Sequence, residues 1–401
     1  MEQKNRKPAA FSNVRKEFYK QVLEKDRKQK LKIVALALSA LLLASSLLFV
    51  SSLIETSGKG KYVYVYGDYE QSINSDICFE GNIQLIDMNA LADYCGIDKE
   101  EVNYVATFAV NNTCVYFEDN SKIATINGIK KEMPTKAQIK NGYCLVPMSI
   151  VAEIVFGIEI KSDKNSTNIT KIAENMYIID RNPNIEYSPE ASSYFEYINS
   201  KDEYIYLIVN KEHPLDRNFP EDENILWEIP AEYRKAEVIK LHYIAEKSLE
   251  AMMQDMFSLG YKDTYVTSAY RSYNYQEWLF YDYYVQNLVN NGMSYDNAYA
   301  EVLKDTALPG QSEHQTGLCV DFTTKSIGTV DNIFAETEVF SWLKENSWKY
   351  GFILRYPEDK ESITGYMYES WHYRFVGFEV ASIMHQTGLC YEEYLEIFGV
   401  K

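Results

Sequence analysis

The hexapeptide HQTGLC occurs twice in this chain, at residues 314–319 and 385–390, although the chain has only five histidines. Neutral imidazoles are the most common metal ligands in proteins. In the first copy Gly317 favours a turn, and the residues after it alternate in the manner of a strand. His314, before the turn, and Asp321, on the strand, could therefore converge on one point. An imidazole and a carboxylate are two of the three protein ligands that a catalytic zinc ion takes, with its fourth position left to water.

A third ligand and a proton-transferring carboxylate are available in ESWHYRF, residues 369–375. In a strand the aromatic residues of this run share one face, and His372 and Arg374 share the other. A regular strand would point Glu369 away from His372. The backbone must therefore bend near Ser370 for Glu369 to reach the same metal. Arg374 either faces the substrate or pairs with an acidic neighbour.

The second HQTGLC copy has Glu392 at the offset that Asp321 has in the first copy. Its flanks, however, predict a helix that ends at Gly388 and a second helix over residues 391–398. His385 would then lie in the last turn of a helix, where a cationic side chain favours the helix dipole. We predict that His385 is a structural residue and binds no metal.

The elements around the first copy predict an α+β domain with an antiparallel sheet over residues 200–401. EYIYLIVN (203–210) and TYVTS (264–268) alternate as strands. Apolar residues at helical spacing predict a helix over 231–259, and an aromatic helix follows over 275–289. These elements would bring the two distant motifs together.

Residues 62–180 predict a small duplicated α+β domain. Two stretches, 81–97 and 141–158, each read as a polar turn, a short apolar strand, a short helix and a closing glycine. No histidine lies between residues 55 and 180, so this part offers no imidazole to a metal.

The charge of the chain is divided unevenly. Residues 1–32 carry eleven Lys/Arg against four Asp/Glu, whereas the whole chain has a net charge of -18. The body after this basic tail is strongly acidic. Phosphate binding needs clustered cations, so we expect no nucleic-acid partner.

Residues 33–54 form a run of 22 residues without a charge, a proline or a glycine. As a helix this run would be roughly 33 Å long, enough to cross a hydrocarbon core of about 30 Å. We predict a transmembrane anchor in the lipid bilayer, with residues 1–32 in the cytoplasm and the rest outside the cell. The six cysteines would then lie where disulfides persist, and their pairing stays open.

Residues 200–401 resemble the VanY-type D-alanyl-D-alanine carboxypeptidases, zinc peptidases of the cell wall. The matching stretches follow the family order: YLIVNKEHPL (206–215), VTSAYRSYNYQ (266–276), PGQSEHQTGLCVDF (309–322), WLKENSWKYGFILRYP (342–357) and ESWHYRFVG (369–377). The family pattern SxHxxGxAxD is matched by Ser312, His314, Gly317 and Asp321. Its ExWHxR pattern is matched by Glu369, Trp371, His372 and Arg374.

The resemblance implies that one zinc ion is bound by His314, Asp321 and His372 and that Glu369 is the general base. It further implies that Arg271 binds the substrate carboxylate or stabilises the oxyanion. Ser312 and Gln276 are implied as polar contacts to the peptide. The implied substrates are peptidoglycan stem peptides that end in D-alanine.

Three residues depart from the family pattern. Cys319 replaces an alanine, a small side chain that either packs or offers a thiolate to the metal. Ala269 replaces the glycine before YRS, and Ser370 replaces the proline between Glu369 and the tryptophan. The last change removes rigidity where the backbone must bend.

Residues 80–170 resemble the copper amine oxidase N-terminal-like domain, an extracellular module of bacterial surface proteins. With no histidine in this part, the name does not imply copper, and we expect a spacer or a wall contact. The whole chain is then a membrane-anchored extracellular carboxypeptidase. Open alternatives are an L,D-carboxypeptidase, an endopeptidase, or a wall-binding surface protein without catalysis.

Overall fold

The computed structural model describes residues 61–66, 69–76, 78–80, 82–140, 142–162, 166–173 and 175–399. The predicted cytoplasmic tail, 1–32, and the predicted anchor, 33–54, lie outside these residues. Among the residues described, no helix is both long enough and apolar enough to span a membrane.

The chain divides into two compact units. Of the described residues, the first holds those between 61 and 76 and between 162 and 169, and the second holds those between 78 and 161 and between 170 and 399. The described strands of the first unit include an antiparallel hairpin of Lys61–Tyr66 and Tyr69–Asp76.

The second unit begins with small antiparallel sheets and two short helices, an α+β arrangement. Its strands here are Cys78–Glu80, Ile83–Asp87, Asp98–Val102, Val105–Val110, Thr113–Glu118, Ile123–Ile126, Ile129–Glu132, Gln138–Lys140, Tyr143–Pro147, Val155–Phe156 and Tyr177–Ile178. The helices are Met88–Cys95 and Met148–Ile154. Five consecutive strands from Asp98 to Glu132 form a meander.

The two predicted strand–helix stretches are both present. Ile83–Asp87 and Tyr143–Pro147 pair antiparallel in one sheet, and each leads directly into its helix. Asp87 is the N-cap residue of the first helix. Its side chain accepts hydrogen bonds from the backbone N–H groups of Asn89 and Cys144, both at 3.1 Å. One carboxylate therefore caps a helix and ties the two copies together.

The rest of the second unit is also α+β. Its helices are Pro189–Ser192, Phe195–Ile198, Tyr243–Ser258, Tyr273–Glu277, Gln286–Asn290, Tyr295–Asp305, Glu338–Asn346, Glu361–Thr364, Phe378–Thr387 and Tyr391–Phe398. A π-helical stretch, Trp278–Val285, joins two of them. Short 3-10 turns are Glu203–Tyr206, Glu223–Ile225, Ala231–Tyr233, Glu313–Thr316, Asn332–Glu336 and Ser347–Tyr350. A two-stranded sheet pairs Leu226–Glu228 with Lys240–His242.

Four antiparallel strands form what we call the site sheet, in the order Thr264–Ser268, Cys319–Thr324, His372–Phe375 and Phe352–Leu354. One face of this sheet belongs to the main apolar core, which includes the buried residues Leu249, Met252, Leu318, Val320, Phe322, Tyr373 and Phe375. The alternate residues of the two central strands lie on the other face. The predicted separation of apolar and chemical faces is therefore confirmed.

Two predicted elements are wrong. Residues 203–210 do not form a strand, because the Asp202 side chain accepts a hydrogen bond from the backbone N–H of Tyr204 at 2.9 Å and begins a 3-10 turn. The predicted helix over 231–259 begins only at Tyr243. The residues just before it, Lys240–His242, are held in a strand instead.

Candidate active site

His314 is held by a tight turn before the site sheet. The turn Glu313–Thr316 ends at Gly317, whose φ is +69°. A Cβ at this glycine would lie 2.7 Å from Cδ2 of Leu226, so neither the backbone nor the space admits a side chain. His314 Nδ1 lies 2.5 Å from the carbonyl oxygen of Ala269. This contact accounts for the Nδ1 proton and leaves Nε2 to face the site.

Asp321 and His372 are opposite one another on the two central strands of the site sheet. Asp321 Oδ1 lies 3.0 Å from His372 Nδ1, and Asp321 Oδ2 lies 3.2 Å from His314 Nε2. The three side chains are almost fully buried. The structure therefore brings together the three residues that the sequence predicts as metal ligands.

The backbone bends at Ser370, as the sequence predicts. The N–H of His372 donates to the carbonyl of Glu369 at 3.2 Å, which closes a turn before the strand. The turn brings Glu369 Oε2 to 3.6 Å from His372 Nδ1. A carboxylate thus lies beside the candidate metal ligands without lying on the strand that supplies one of them.

The electrostatics of the cluster follow from burial and mutual contact. Burial raises the pKa of Asp321, but the two imidazoles outweigh it and hold that pKa below its usual range. Burial and Arg271 lower the pKa of His314, but Asp321 raises it, for a result of about 8. Burial raises the pKa of Glu369 to about 7. A carboxyl group with a pKa near neutrality suits proton transfer.

The donor set suits a zinc ion. Nitrogen donors of His314 and His372 and the sulfur of Cys319 lie within 4.8 Å of one another. Asp321 contacts both imidazoles, and a carboxylate between two imidazoles is a familiar zinc environment. Cys319 occupies the same strand face as Asp321, two residues earlier, so the thiol is a fourth neighbour of the site.

Glu313 is the site residue that sequence reasoning missed. Its side chain is completely buried, and Oε1 accepts hydrogen bonds from Arg355 Nε and Arg374 Nη1, both at 2.9 Å. Its Oε2 lies 3.6 Å from His372 Nε2. Arg355 also binds Glu392, at 2.6 Å. A buried network of two cations and two anions therefore adjoins His372 through Glu313.

Arg374 belongs to this network and not to the substrate-facing surface. Besides Glu313, its Nη2 donates to the carbonyl oxygens of Ile205 and Leu207 at 3.1 and 2.7 Å. Burial raises the pKa of Glu313, but Arg355 and Arg374 outweigh it and hold that pKa below its usual range. Of the two roles that the sequence left open for Arg374, the structure supports the ion pair with an acidic neighbour, Glu313.

Of the three residues predicted to contact the substrate, two lie beside the candidate metal ligands and one lies elsewhere. The backbone N–H of Arg271 donates to the carbonyl of His314 at 3.0 Å, and Arg271 Nη2 lies 3.4 Å from Ser312 Oγ. Gln276 Nε2 donates to the carbonyl of Ala307 at 2.8 Å, and its Oε1 is buried without a hydrogen-bond partner among the described residues. Arg271 and Ser312 thus adjoin the cluster, whereas the contacts of Gln276 lie with Ala307.

The second HQTGLC copy has the predicted helical setting. His385 lies in the last turn of Phe378–Thr387, and its ring stacks on Trp348 with centroids 4.8 Å apart. Glu392, at the offset of Asp321, binds Arg355. Of the cysteines whose side chains the structure describes, Cys95, Cys114, Cys144, Cys319 and Cys390 are free thiols.

Comparison with known proteins gives the following similarities. The family model for VanY, D-alanyl-D-alanine carboxypeptidase, matches residues 238–378, and the model for the copper amine oxidase N-terminal domain matches residues 76–171. The D-alanyl-D-alanine carboxypeptidase of Enterococcus faecalis is 36% identical over 197 residues, which cover 48% of this chain and 66% of that protein. The solved structure of VanYB in complex with D-alanine-D-alanine has 33% identity and a TM-score of 0.40, covering 48% of this chain and 98% of that one.

A further relative is matched over nearly its whole length. The bifunctional D-Ala-D-Ala dipeptidase and carboxypeptidase VanXYC of Enterococcus gallinarum is 33% identical over 191 residues, which cover 47% of this chain and 91% of that protein. The solved LdcB LD-carboxypeptidase has 33% identity and a TM-score of 0.42, covering 49% of this chain and 88% of that one. The range matched by the VanY family model contains His314, Asp321, Glu369 and His372. The chain therefore belongs to the VanY family of D-alanyl-D-alanine carboxypeptidases, zinc-dependent hydrolases of peptide bonds.

Proposed function

We propose that this protein is a membrane-anchored, extracellular zinc carboxypeptidase that removes the terminal D-alanine from peptidoglycan stem peptides. The observation that carries the proposal is the convergence of His314, Asp321 and His372 beside the carboxylate of Glu369. Three protein ligands with a carboxylate next to them are the arrangement of a catalytic zinc site and not of a closed structural one.

The residues divide the chemistry among themselves. When bound, zinc supplies Lewis-acid polarisation of a carbonyl group and lowers the pKa of a water molecule. Glu369 Oε2 accepts the proton of the attacking water and then gives it to the nitrogen of the departing amine. Burial raises the pKa of Glu369, which favours the protonated form of this carboxyl group between the two transfers.

Arg271 is the residue for the negative charge of the substrate. Its backbone N–H is hydrogen-bonded to the carbonyl of His314, and its side chain adjoins Ser312. Arg271 is therefore held at the edge of the candidate metal ligands. A guanidinium group binds a terminal carboxylate in two places. This contact selects peptides in which the residue after the scissile bond carries the terminal carboxylate. A carboxypeptidase requires this selection.

The location is part of the proposal and rests on the sequence alone. The 22 uncharged, mostly apolar residues 33–54 suit a single membrane span, and the basic residues 1–32 favour a cytoplasmic amino terminus. The acidic remainder, with the spacer domain and the carboxypeptidase domain, then lies outside the cell. The anchor keeps the enzyme next to its cell-wall substrate.

The test uses the full-length chain in detergent with pentapeptide and tetrapeptide stem substrates, with and without a chelator. We expect chelator-sensitive release of D-alanine from the pentapeptide. Glu369→Gln should bind zinc as the wild type does but lower kcat by about 10² to 10⁴ fold. Unchanged turnover in that variant would remove Glu369 from the mechanism. Release from the tetrapeptide alone would replace the proposed D,D specificity with L,D specificity.

A further inference from the structure

The segment that carries Glu369 has little regular structure of its own. Residues between the helix Glu361–Thr364 and the strand His372–Phe375 form bends and a turn. The N–H of Glu369 donates to the carbonyl of Tyr356 at 3.2 Å, and the N–H of Tyr368 donates to Glu361 at 2.8 Å. These bonds hold one side of the segment. A catalytic carboxylate requires the other side to be held as well, because it must stay near its working position.

Asn332 holds that other side with both atoms of its amide. Its Nδ2 donates to the carbonyl of Tyr368 at 3.1 Å, and its Oδ1 accepts from the N–H of Ser370 at 3.2 Å. The two bonds flank Glu369 on either side. They also fix the orientation of the amide, because exchanging its nitrogen and oxygen would break both bonds.

Asn332 is itself on a rigid support. It begins the turn Asn332–Glu336, where the Asp331 side chain accepts a hydrogen bond from the N–H of Ile333 at 2.9 Å. Phe334, two residues after Asn332, is completely buried in the main core. The amide of Asn332 therefore connects the core to the bend before the strand.

Ser370 makes this connection possible. The residue there in the family pattern, proline, has a fixed φ but no N–H to donate. This chain lacks that ring, and its Ser370 instead donates the backbone N–H to Asn332. The hydrogen bond from Ser370 to Asn332 thus restrains the backbone at the position where the proline ring of the family pattern would restrain it.

We propose that Asn332 is the positioning residue of the general base: its amide clamps the backbone on both sides of Glu369 and holds Oε2 beside the metal ligands. The inference rests on the proposed function and names a residue outside the family patterns noted above. Asn332 acts through Glu369 and has no contact of its own with His314, Asp321 or His372 among the contacts described.

The test compares Asn332→Ala with Ile333→Ala in the full-length, zinc-loaded protein. Ile333 is the next residue on the same turn, and its side chain is 53% exposed, so the control perturbs the turn but not the clamp. Asn332→Ala should lower kcat on the order of tenfold, with KM and zinc stoichiometry within about twofold of the wild type, because a misplaced base costs turnover and not binding. Ile333→Ala should behave as the wild type.

A second measurement needs no catalysis. Hydrogen exchange of the peptide covering residues 366–371 should become faster in Asn332→Ala and stay unchanged in Ile333→Ala, because the N–H of Ser370 loses its acceptor. Unchanged exchange, or an unchanged kcat with faster exchange, would overturn the inference. Absence of D-alanine release by the wild type would instead overturn the proposed function, while the exchange result would still decide whether the clamp exists.

Discussion

The two HQTGLC copies show how one hexapeptide serves two purposes. Both copies end their turn at a glycine with a φ of +69°, Gly317 and Gly388. In both, the threonine hydroxyl donates to a backbone carbonyl within the same turn, and the glutamine amide binds the backbone of a distant segment. The local structure of the hexapeptide is thus largely shared.

The flanks make the difference. A 3-10 turn precedes Gly317 and a strand follows it, so His314 turns inward to Asp321. A ten-residue helix precedes Gly388 and another helix follows it, so His385 stacks on Trp348 instead. A metal site therefore depends on what the turn connects, and the hexapeptide alone does not specify it.

The largest effect is expected when the histidine of each HQTGLC copy is replaced in turn. His314→Ala should abolish chelator-sensitive D-alanine release and weaken zinc binding by more than about 100-fold, above the range for outer-sphere residues, because a ligand is lost. His385→Ala should keep both properties. Zinc content and turnover of the two purified variants decide the matter. Equal zinc content in His314→Ala and the wild type would contradict the assignment.

The next effect concerns the residue before the first histidine. Glu313→Gln should weaken zinc binding by about 10 to 100-fold, because Glu313 faces His372 Nε2. It should also lower the free energy of unfolding by about 3 to 5 kcal/mol, because Arg355 and Arg374 lose a buried partner. Competition with a zinc-binding dye and denaturant unfolding measure the two effects.

Glu392→Gln is the matched control for that change. It removes the negative charge of the outer partner of Arg355 and leaves Glu313 beside His372. The zinc affinity of this variant should stay near that of the wild type. A loss as large as that of Glu313→Gln would mean that the network acts through stability alone.

A pH effect follows from His242, whose backbone N–H donates to the carbonyl of Gly317 at 2.7 Å. Burial lowers the pKa of His242 to about 4. Between pH 6.5 and 4 the unfolded chain binds more protons at this residue, so its contribution is fully present above pH 6.5 and is lost as the pH falls. The wild type should lose about 2 to 3 kcal/mol more than His242→Asn between pH 7.5 and 4.5.

Denaturant unfolding at both pH values checks this expectation. Asparagine keeps an acceptor for the N–H of Ile244, which His242 Nδ1 accepts at 3.3 Å, and so preserves the start of the helix. An equal loss in the two proteins would show that another group dominates the acid sensitivity.

The smallest expected effect compares the two glycines. Alanine at either position has to adopt a left-handed backbone conformation, which lowers the free energy of unfolding by about 1 to 2 kcal/mol. At Gly388 the added Cβ meets no atom within 4 Å, whereas at Gly317 it meets Leu226 at 2.7 Å. Gly317→Ala should therefore lower the free energy of unfolding by about 1 to 3 kcal/mol more than Gly388→Ala. Equal losses would indicate that Leu226 moves aside freely.

The donors of the site could be predicted because they obey local rules. Alternation along Cys319–Thr324 and His372–Phe375 placed Asp321 and His372 on one face, and the bend at Ser370 followed from the need to turn Glu369. The helical setting of His385 followed from its flanks in the same way. Each of these expectations concerns residues close together in the chain.

The parts that could not be predicted depend on distant contacts. EYIYLIVN alternates as a strand should, yet the carbonyls of Ile205 and Leu207 bind Arg374, more than 160 positions away in the chain. The helix over 231–259 starts late because Lys240–His242 pairs with Leu226–Glu228. Glu313 stood between two motif residues, but its role depends on two arginines from other segments.

The helix Tyr391–Phe398 has a consequence for how much of the chain a working enzyme needs. The VanY family model ends at residue 378, but Glu392, on this last helix, neutralises the fully buried Arg355. A protein shortened to the matched range would keep every proposed zinc ligand and yet leave an excess positive charge enclosed behind one of them. Terminal deletions that spare the motif would thus lower the stability of the enzyme even though every proposed zinc ligand is kept.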